Sequence, residues 1–215
     1  MKLLKGLLGG LCLCTAIGCT APASQKENVA AAEGLSQSEA VIKTIMERRS
    51  IRQYKPQAVN RDTMQTILKC GINAPNGMNK QSWEVRVVDN PDFINGVTEL
   101  YKKANPKAAE DPSFKNMFRN APTVMFIAND PSYDCSQIDC GLLGGNMILA
   151  AQSMGIGSCC LGGPARFMKS PEAAEYLKKL NFSEGYELLY CIAFGYPDEA
   201  PAAKPRKAEK VQFID

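Results

Sequence analysis

The longest apolar helix predicted from this sequence, over residues 139–154, restricts the possible folds more than any other feature. Its apolar residues surround most of the helix circumference, and they include Leu142, Leu143, Met147 and Ile148. A helix that is hydrophobic on most sides has to be covered by other elements, so we expect it at the centre of the fold. The chain of 215 residues is long enough to bury one sizeable core, which favours a single domain around this helix.

Helices and strands are mixed around this segment without the regular repeat of a doubly wound sheet. Three strands are predicted from β-branched and apolar runs at 83–88, 123–128 and 186–194. Four further helices are predicted from capping residues and helical spacing: Ser36 or Ser38 to about Arg49, Asn60 or Asp62 to Ile72, 93–103 and 170–180. This mixture indicates an α+β fold. Gly155, Gly157, Gly162 and Gly163 are expected to break the chain after the central helix. Residues 105–119 show no firm pattern, and residues 211–213 could add a short strand.

The first nineteen residues are predicted to be an export signal. Two lysines precede an apolar run over residues 6–17, which is too short to span a bilayer as a helix. The residues that end at Cys19 resemble the lipobox of bacterial lipoproteins, in which the cysteine is acylated and becomes the mature N-terminus. Because Ala16 stands where leucine is usual, ordinary cleavage near residues 21–23 is the alternative.

This leader sets the expected domain organisation and location. We expect a signal peptide over 1–19, a flexible tether over 20–35 and one folded domain over 36–215. The expected location is the bacterial cell envelope, with a membrane anchor through a lipidated Cys19.

Charge and residue usage exclude several classes of function. The formal net charge is +3, and it falls to +1 without the two lysines of the leader, so no nucleic-acid partner is expected from bulk electrostatics. The sequence contains no histidine, which excludes a histidine general base, Ser/His or Cys/His triads and histidine-ligated metals. No metal site is predicted. The chemistry is therefore expected to come from a bound cofactor.

The cysteines after the leader are even in number and would permit disulfides in an oxidising compartment. Four of them lie inside apolar runs and are expected as small buried thiols: Cys70, Cys159, Cys160 and Cys191. Cys135 and Cys140 are the only two of these cysteines that we consider able to form a disulfide with each other.

The densest group of cations is the arginine stretch, which contributes Arg48, Arg49, Ser50 and Arg52. Its first two arginines are predicted in the last turn of the first helix, and residues 50–54 run extended towards Pro56. Guanidinium groups match phosphate geometry, and a serine hydroxyl adds a donor. The alternative is a solvated basic helix end that complements the helix dipole.

Three further stretches carry groups suited to a ligand. The loop over 74–83 is rich in amides, which can pair with an amide-like heterocycle. The segment 159–163 ends in two glycines, whose missing side chains would let the backbone approach a flat ligand. Lys204 and Arg206 are held apart by a rigid proline. Each stretch also has an ordinary structural explanation. The first fits a helix-to-strand loop with left-handed asparagines, the second a plain turn, and the third a solvated tail.

In their order and spacing, the four stretches resemble the nitroreductase-like FMN proteins. The similarity rests on the arginine stretch, the loop from Pro75 to Trp83, the glycines around 155–163, and Lys204 and Arg206 after 195–197. It covers roughly residues 38–210, which is nearly the whole chain after the predicted leader. The resemblance implies a three-layer α-β-α sandwich with a mostly antiparallel central sheet, assembled as a homodimer with FMN bound at the subunit interface.

The resemblance also implies roles for individual residues. The FMN phosphate would be held by Arg48, Ser50, Lys204 and Arg206. The ribityl chain or the ring would be lined by Arg49 and Arg52. The partner subunit would contribute Pro75, Asn76, Gly77 and Asn79 to the flavin. Backbone near the redox-active ring nitrogen would come from Leu161, Gly162 and Gly163. No side chain is expected to be catalytic, because the flavin carries the electrons.

The implied function is that of an FMN-dependent oxidoreductase of nitroreductase type, which reduces a small, electron-poor acceptor by ping-pong flavin chemistry. The alternatives are a flavin-dependent reductive dehalogenase-like enzyme and a flavin-binding envelope protein without turnover. NADPH or NADH is the donor that the resemblance implies, although nicotinamide cofactors are not expected outside the cytoplasm. A substrate-selecting lid would fall in residues 101–119, where the candidate stacking residues, equally explained by core packing, are Tyr101, Phe114, Met117 and Phe118.

Overall fold

The computed structural model describes residues 34–214, and a compact unit begins at Ser36. The predicted leader, its lipidation at Cys19 and the tether up to residue 33 lie outside the described residues. None of the helices within 34–214 combines the length and apolar character needed to cross a bilayer.

The described part of the chain forms seven α-helices and four β-strands. The helices are α1 (Gln37–Glu47), α2 (Arg61–Ile72), α3 (Pro91–Ala104), α4 (Pro106–Glu110), α5 (Ser136–Ser153), α6 (Gly162–Met168) and α7 (Ala174–Lys179). The strands are β1 (Trp83–Val88), β2 (Thr123–Asn129), β3 (Gly157–Leu161) and β4 (Glu187–Gly195). Short 3-10 turns occupy Gly77–Asn79, Pro171–Ala173 and Ala208–Lys210.

The four strands form one antiparallel sheet in the order β1-β2-β4-β3. Strand β2 is central and buried along its whole length. Its side chains alternate between the two faces of the sheet, as the two-residue period of a strand requires. The predicted α+β fold with a mostly antiparallel sheet is therefore confirmed.

Helices cover both faces of this sheet. Val124 and Phe126 of β2 pack in a core that also contains residues of α3 and α6. Met125 and Ile127 point the other way, into a second core with residues of α2 and α5. Two cores separated by one sheet make a three-layer α-β-α sandwich, as predicted.

Three local predictions were wrong. The glycines after α5 were expected only to break the chain, yet Gly157 begins the edge strand β3. Residues 211–213 form no strand and are exposed. The helix predicted over 170–180 starts as a 3-10 turn and becomes α-helical only from Ala174, and Ser170 makes no capping hydrogen bond.

Helix α1 is well formed but has an uncovered apolar side. Ser36 caps it in a reciprocal capping box, because its hydroxyl accepts the Glu39 N–H at 3.3 Å and its own N–H donates to the Glu39 carboxylate at 2.9 Å. None of its residues is buried. Large apolar side chains of α1 and α5 are between 42% and 69% exposed, and we name this set the α1/α5 apolar face: Val41, Ile42, Ile45, Met46, Ile138 and Leu142.

Because of this exposed face, the prediction that the central helix α5 is covered on most sides is only partly confirmed. Leu143 and Met147 of α5 are fully buried as expected, whereas Leu142 is exposed. Within one chain α5 is therefore covered on one side only. A shallow apolar cavity of about 300 Å³ between α1 and α5 continues the uncovered surface.

The predictions for the burial of the cysteines are confirmed in part. Cys159 and Cys191 are buried thiols, but Cys70 and Cys160 are exposed. Cys135 and Cys140 are both free thiols rather than a disulfide. Burial, with the nearby carboxylate of Asp139 as a second cause, raises the pKa of the Cys140 thiol to about 12.

Candidate functional site

The arginine stretch lies just beyond helix α1 instead of in its last turn. The helix ends at Glu47, and Arg48 leaves the helical conformation with φ −59° and ψ 134°. From there the chain runs extended along strand β3, where the Ile51 N–H donates to the Ser158 carbonyl at 3.0 Å. The stretch is thus attached to the edge of the sheet.

Two glycines allow this close attachment. A Cβ atom on Gly157 would lie 3.0 Å from the side chain of Ile51, and one on Gly195 would lie 2.7 Å from the ring of Tyr54. Ile51 and Tyr54 are buried against the sheet as a result. Ser50 is only half-buried, and Arg52, which lies between the two buried residues in the sequence, is exposed. The buried residues therefore fix the position of the charged ones.

The predicted phosphate-binding residues meet around a small pocket of about 100 Å³. Its wall is formed by Arg48, Arg49, Ser50, Arg52, Lys204 and Arg206, with Pro201 and Ala202 beside them. Residues separated by about 150 positions in the sequence are therefore brought together.

The cations of this pocket lack counter-charges. Within residues 34–214, none of its five arginine and lysine side chains forms an ion pair with a carboxylate. Arg49 donates to the carbonyls of Met46 and Arg48 at 2.7 and 2.9 Å, and Arg206 donates to that of Lys204 at 2.9 Å. These contacts orient the guanidinium groups without neutralising them, so the pocket fits an anion with several oxygens.

A larger cavity of about 860 Å³ is lined by Leu161, Gly162 and Gly163. Arg52 lines both this cavity and the cationic pocket, so the two spaces adjoin. A Cβ on Gly163 would meet no atom within 4 Å, and one on Gly162 would meet only the Arg166 side chain at 3.6 Å. Packing within the chain therefore does not require glycine at these two positions, where the backbone is open to a ligand.

An aromatic pair forms another wall of the cavity. The rings of Tyr101 and Phe114 stack with centroids 5.7 Å apart at an interplanar angle of 17°. Met117 also lines the cavity. Phe118, the fourth candidate stacking residue, is instead fully buried and packs edge-on against Phe126. Three of the four candidates therefore reach the cavity.

The amide-rich loop lies elsewhere within the chain. Among the residues that line the two spaces there is none from 75–79, so Pro75, Asn76, Gly77 and Asn79 do not join the arginines of their own chain. Asn79 has φ 54°, the left-handed conformation expected of an asparagine in such a loop.

Two carboxylates position these segments, and the sequence did not identify either of them. Asp139, only 2% exposed, accepts the Gly77 N–H at 3.0 Å and the Ser82 hydroxyl at 2.9 Å. Glu199 accepts the backbone N–H groups of Arg52 and Gln53. Asp139 lies near the start of a largely apolar helix and Glu199 lies in a charged tail, so neither residue stood out in the sequence. The only signal for Asp139 was a carboxylate in the first turn of a helix whose remaining length is largely apolar.

Solved structures of other proteins share this fold. The structure of a nitroreductase with bound FMN from Desulfitobacterium hafniense matches with a TM-score of 0.71 and 28% identity, over 82% of this chain and 98% of that one. An FMN-bound nitroreductase structure from Bacteroides fragilis matches with a TM-score of 0.70 and 27% identity, over 81% of this chain and 98% of that one.

A curated relative and a family match complete the comparison. The NADPH-flavin oxidoreductase of Vibrio harveyi is 27% identical over 173 residues, which are 77% of this chain and 69% of the relative. Residues 45–196, which include the arginine stretch, the amide-rich loop and the two glycines of the large cavity, match the nitroreductase family. The chain belongs to the nitroreductase family.

Proposed function

We propose that this protein is an FMN-dependent oxidoreductase of nitroreductase type that reduces a small, electron-poor acceptor. The observation that carries this proposal is the continuity of the site through Arg52, which joins a cationic pocket to a cavity with an aromatic wall. FMN has the matching shape, since a phosphate dianion is linked by a ribityl chain to a flat ring. The FMN-bound relatives and the name of the Vibrio protein support the assignment.

The residues present fit the cofactor at both ends. Arg48, Ser50, Lys204 and Arg206 would hold the phosphate, with Arg49 and Arg52 beside the ribityl chain or the ring. Leu161, Gly162 and Gly163 would face the ring with open backbone. When bound, FMN supplies two-electron transfer between a reduced donor and an oxidised acceptor.

The chain's own contribution is binding and orientation. The unpaired cations fix the phosphate end, and Glu199 holds the backbone of Arg52 in place through its N–H group. The stacked rings of Tyr101 and Phe114 offer a flat apolar surface on which an aromatic acceptor could lie. We propose that a nicotinamide nucleotide reduces the bound FMN of the purified protein, as the name of the Vibrio relative states NADPH for that protein. In the proposed envelope location, where nicotinamide nucleotides are not expected, a different donor would supply the electrons.

Reoxidation kinetics test this function. Photoreduced holoprotein is expected to be reoxidised by a nitroaromatic faster than the same concentration of free reduced FMN, because the site orients the acceptor. Anaerobic stopped-flow absorbance measures both rates. Reoxidation no faster than free reduced FMN with every acceptor tried would favour a flavin-binding protein without turnover. Release of halide from a halogenated phenol would favour the reductive dehalogenase alternative.

We propose further that two copies of the chain form a homodimer through the α1/α5 apolar face. Exposed apolar side chains on two neighbouring helices form the kind of patch that a partner normally covers. The second copy is the favoured occupant because the amide-rich loop lines neither space of its own chain. In the proposed dimer, Pro75, Asn76, Gly77 and Asn79 reach the flavin of the partner.

We also propose export and lipid anchoring at Cys19, on the basis of the leader sequence. Expression of the full chain in a bacterium is expected to place it in the membrane fraction, and Cys19→Ser is expected to release it. Cys14→Ser, inside the apolar run of the leader, is the matched control and should not release it. Mass spectrometry of an unmodified mature N-terminus near residues 21–23 would contradict the anchor.

A further inference from the structure

We propose that the large cavity selects electron-poor aromatic acceptors that carry a carboxylate, and that Arg119 and Arg166 recognise this negative charge. This inference rests on the proposed function. Both side chains line the 860 Å³ cavity together with Arg52, which the cationic pocket already uses. Neither guanidinium forms an ion pair or a side-chain hydrogen bond with any other residue of the range 34–214. Two cations therefore face the cavity without a partner.

The segment that carries Arg119 is held in a strained conformation. Arg119 and Asn120 have φ of 59° and 63°, so two consecutive residues other than glycine are left-handed. The Asn120 side chain secures the turn, because its oxygen accepts the N–H groups of Lys115 and Asn116 at 2.9 and 3.0 Å and its nitrogen donates to Ser113 at 3.1 Å. Backbone strain that the surroundings maintain is concentrated at ligand sites. The turn holds the backbone of Arg119 in a fixed position at the cavity wall.

The acidic side chains of the cavity are already engaged. Asp111 accepts the Ser113 N–H and hydroxyl at 2.8 and 2.7 Å. Glu199 accepts the N–H groups of Arg52 and Gln53. These two carboxylates are directed to backbone and hydroxyl donors, and neither pairs with Arg119 or Arg166. The arginines are left to bind an anionic ligand.

The aromatic wall defines the rest of the ligand. The Tyr101 and Phe114 rings are nearly parallel, and both line the same cavity. A ligand that uses both features has a ring to stack and a carboxylate to pair with a guanidinium fork. For a nitroaromatic acid, reduction to the nitroso compound would take two electrons and one proton from the reduced, anionic FMN and one proton from water, and it would release one water.

The test compares 4-nitrobenzoate with its neutral analogue 4-nitrobenzamide as acceptors for photoreduced holoprotein. Each rate is divided by the rate of free reduced FMN with the same compound, which removes differences in intrinsic reactivity. The wild type is expected to favour the benzoate by about 100-fold, and Arg119→Gln or Arg166→Gln each to lower that ratio by about tenfold. The double variant is expected to bring the ratio close to one. Arg61→Gln, a change to an exposed arginine that pairs with Asp89 outside the cavity, should leave the ratio as it is.

Calorimetry separates this inference from the proposed function. The oxidised holoprotein is titrated with 4-nitrobenzoate, and arginine-dependent binding supports the inference even if neither acceptor reoxidises the flavin. Lack of reoxidation by both compounds would instead contradict the proposed function. A wild type that does not distinguish benzoate from benzamide in rate and binding, or a double variant that still distinguishes them, would overturn the inference.

Discussion

Replacing Arg48 and Arg206 together with glutamine is expected to weaken FMN binding by roughly 10²–10⁴-fold, since each substitution removes a charge-assisted contact to the phosphate. The two residues come from distant parts of the chain and meet at the cationic pocket. Riboflavin has the same ring and ribityl chain but no phosphate. Its affinity is expected to change little, so the double variant should lose most of the preference for FMN over riboflavin.

Fluorescence titration of the flavin-free protein with each compound measures this preference. Arg61→Gln is the matched control, because Arg61 is exposed and pairs with Asp89 away from the pocket. The double variant would contradict the phosphate assignment if it purified with stoichiometric FMN and still preferred FMN to riboflavin.

Charging the α1/α5 apolar face is expected to separate the proposed dimer. Ile42 and Ile45 are 60% and 50% exposed in the single chain. Full burial of an isoleucine contributes about 1.5–3 kcal/mol, and about half of that remains to be gained by these half-exposed side chains, so glutamate at both positions of both subunits should weaken association by roughly 10²–10⁴-fold. Glutamate has a high helix propensity, so the two substitutions should not destabilise helix α1 itself. Because the amide-rich loop would be lost from the partner's site, bound FMN should fall as well.

Light scattering after size-exclusion chromatography gives the oligomeric state. The wild type is expected to elute with twice the mass of the subunit and the Ile42→Glu/Ile45→Glu variant with the mass of one. Lys43→Glu changes an exposed residue of the same helix and should remain dimeric. A monomeric wild type, or a double variant that stays dimeric, would show that this face is not the interface.

The sequence predicted those parts of the structure that depend on local patterns. The continuous apolar run of β2 and the capping at Ser36 are local signals, and both elements formed where expected. The residues predicted to hold the phosphate do line one pocket in the structure, and they were grouped through the order and spacing of the four stretches along the chain. No local pattern states that Arg48 and Arg206 are neighbours.

The missed features depend on tertiary contacts. Gly157 was interpreted as a chain breaker because glycine is unfavourable in strands, but it lies in β3 where Ile51 packs directly over it. The apolar circumference of α5 predicted complete burial, whereas part of it belongs to a surface that only a second molecule can cover. The carboxylates of Asp139 and Glu199 act through distant backbone N–H groups, for which the sequence has no periodic signal.

The flavin content of the purified protein tests the central claim most directly. The chain is expressed from Ser24, without its leader, and its visible absorbance spectrum is recorded before the flavin is released by heat and identified. The account predicts a yellow protein with about one FMN per subunit, which should raise the melting temperature of the flavin-free form. A colourless protein that neither binds added FMN nor is stabilised by it would contradict the account.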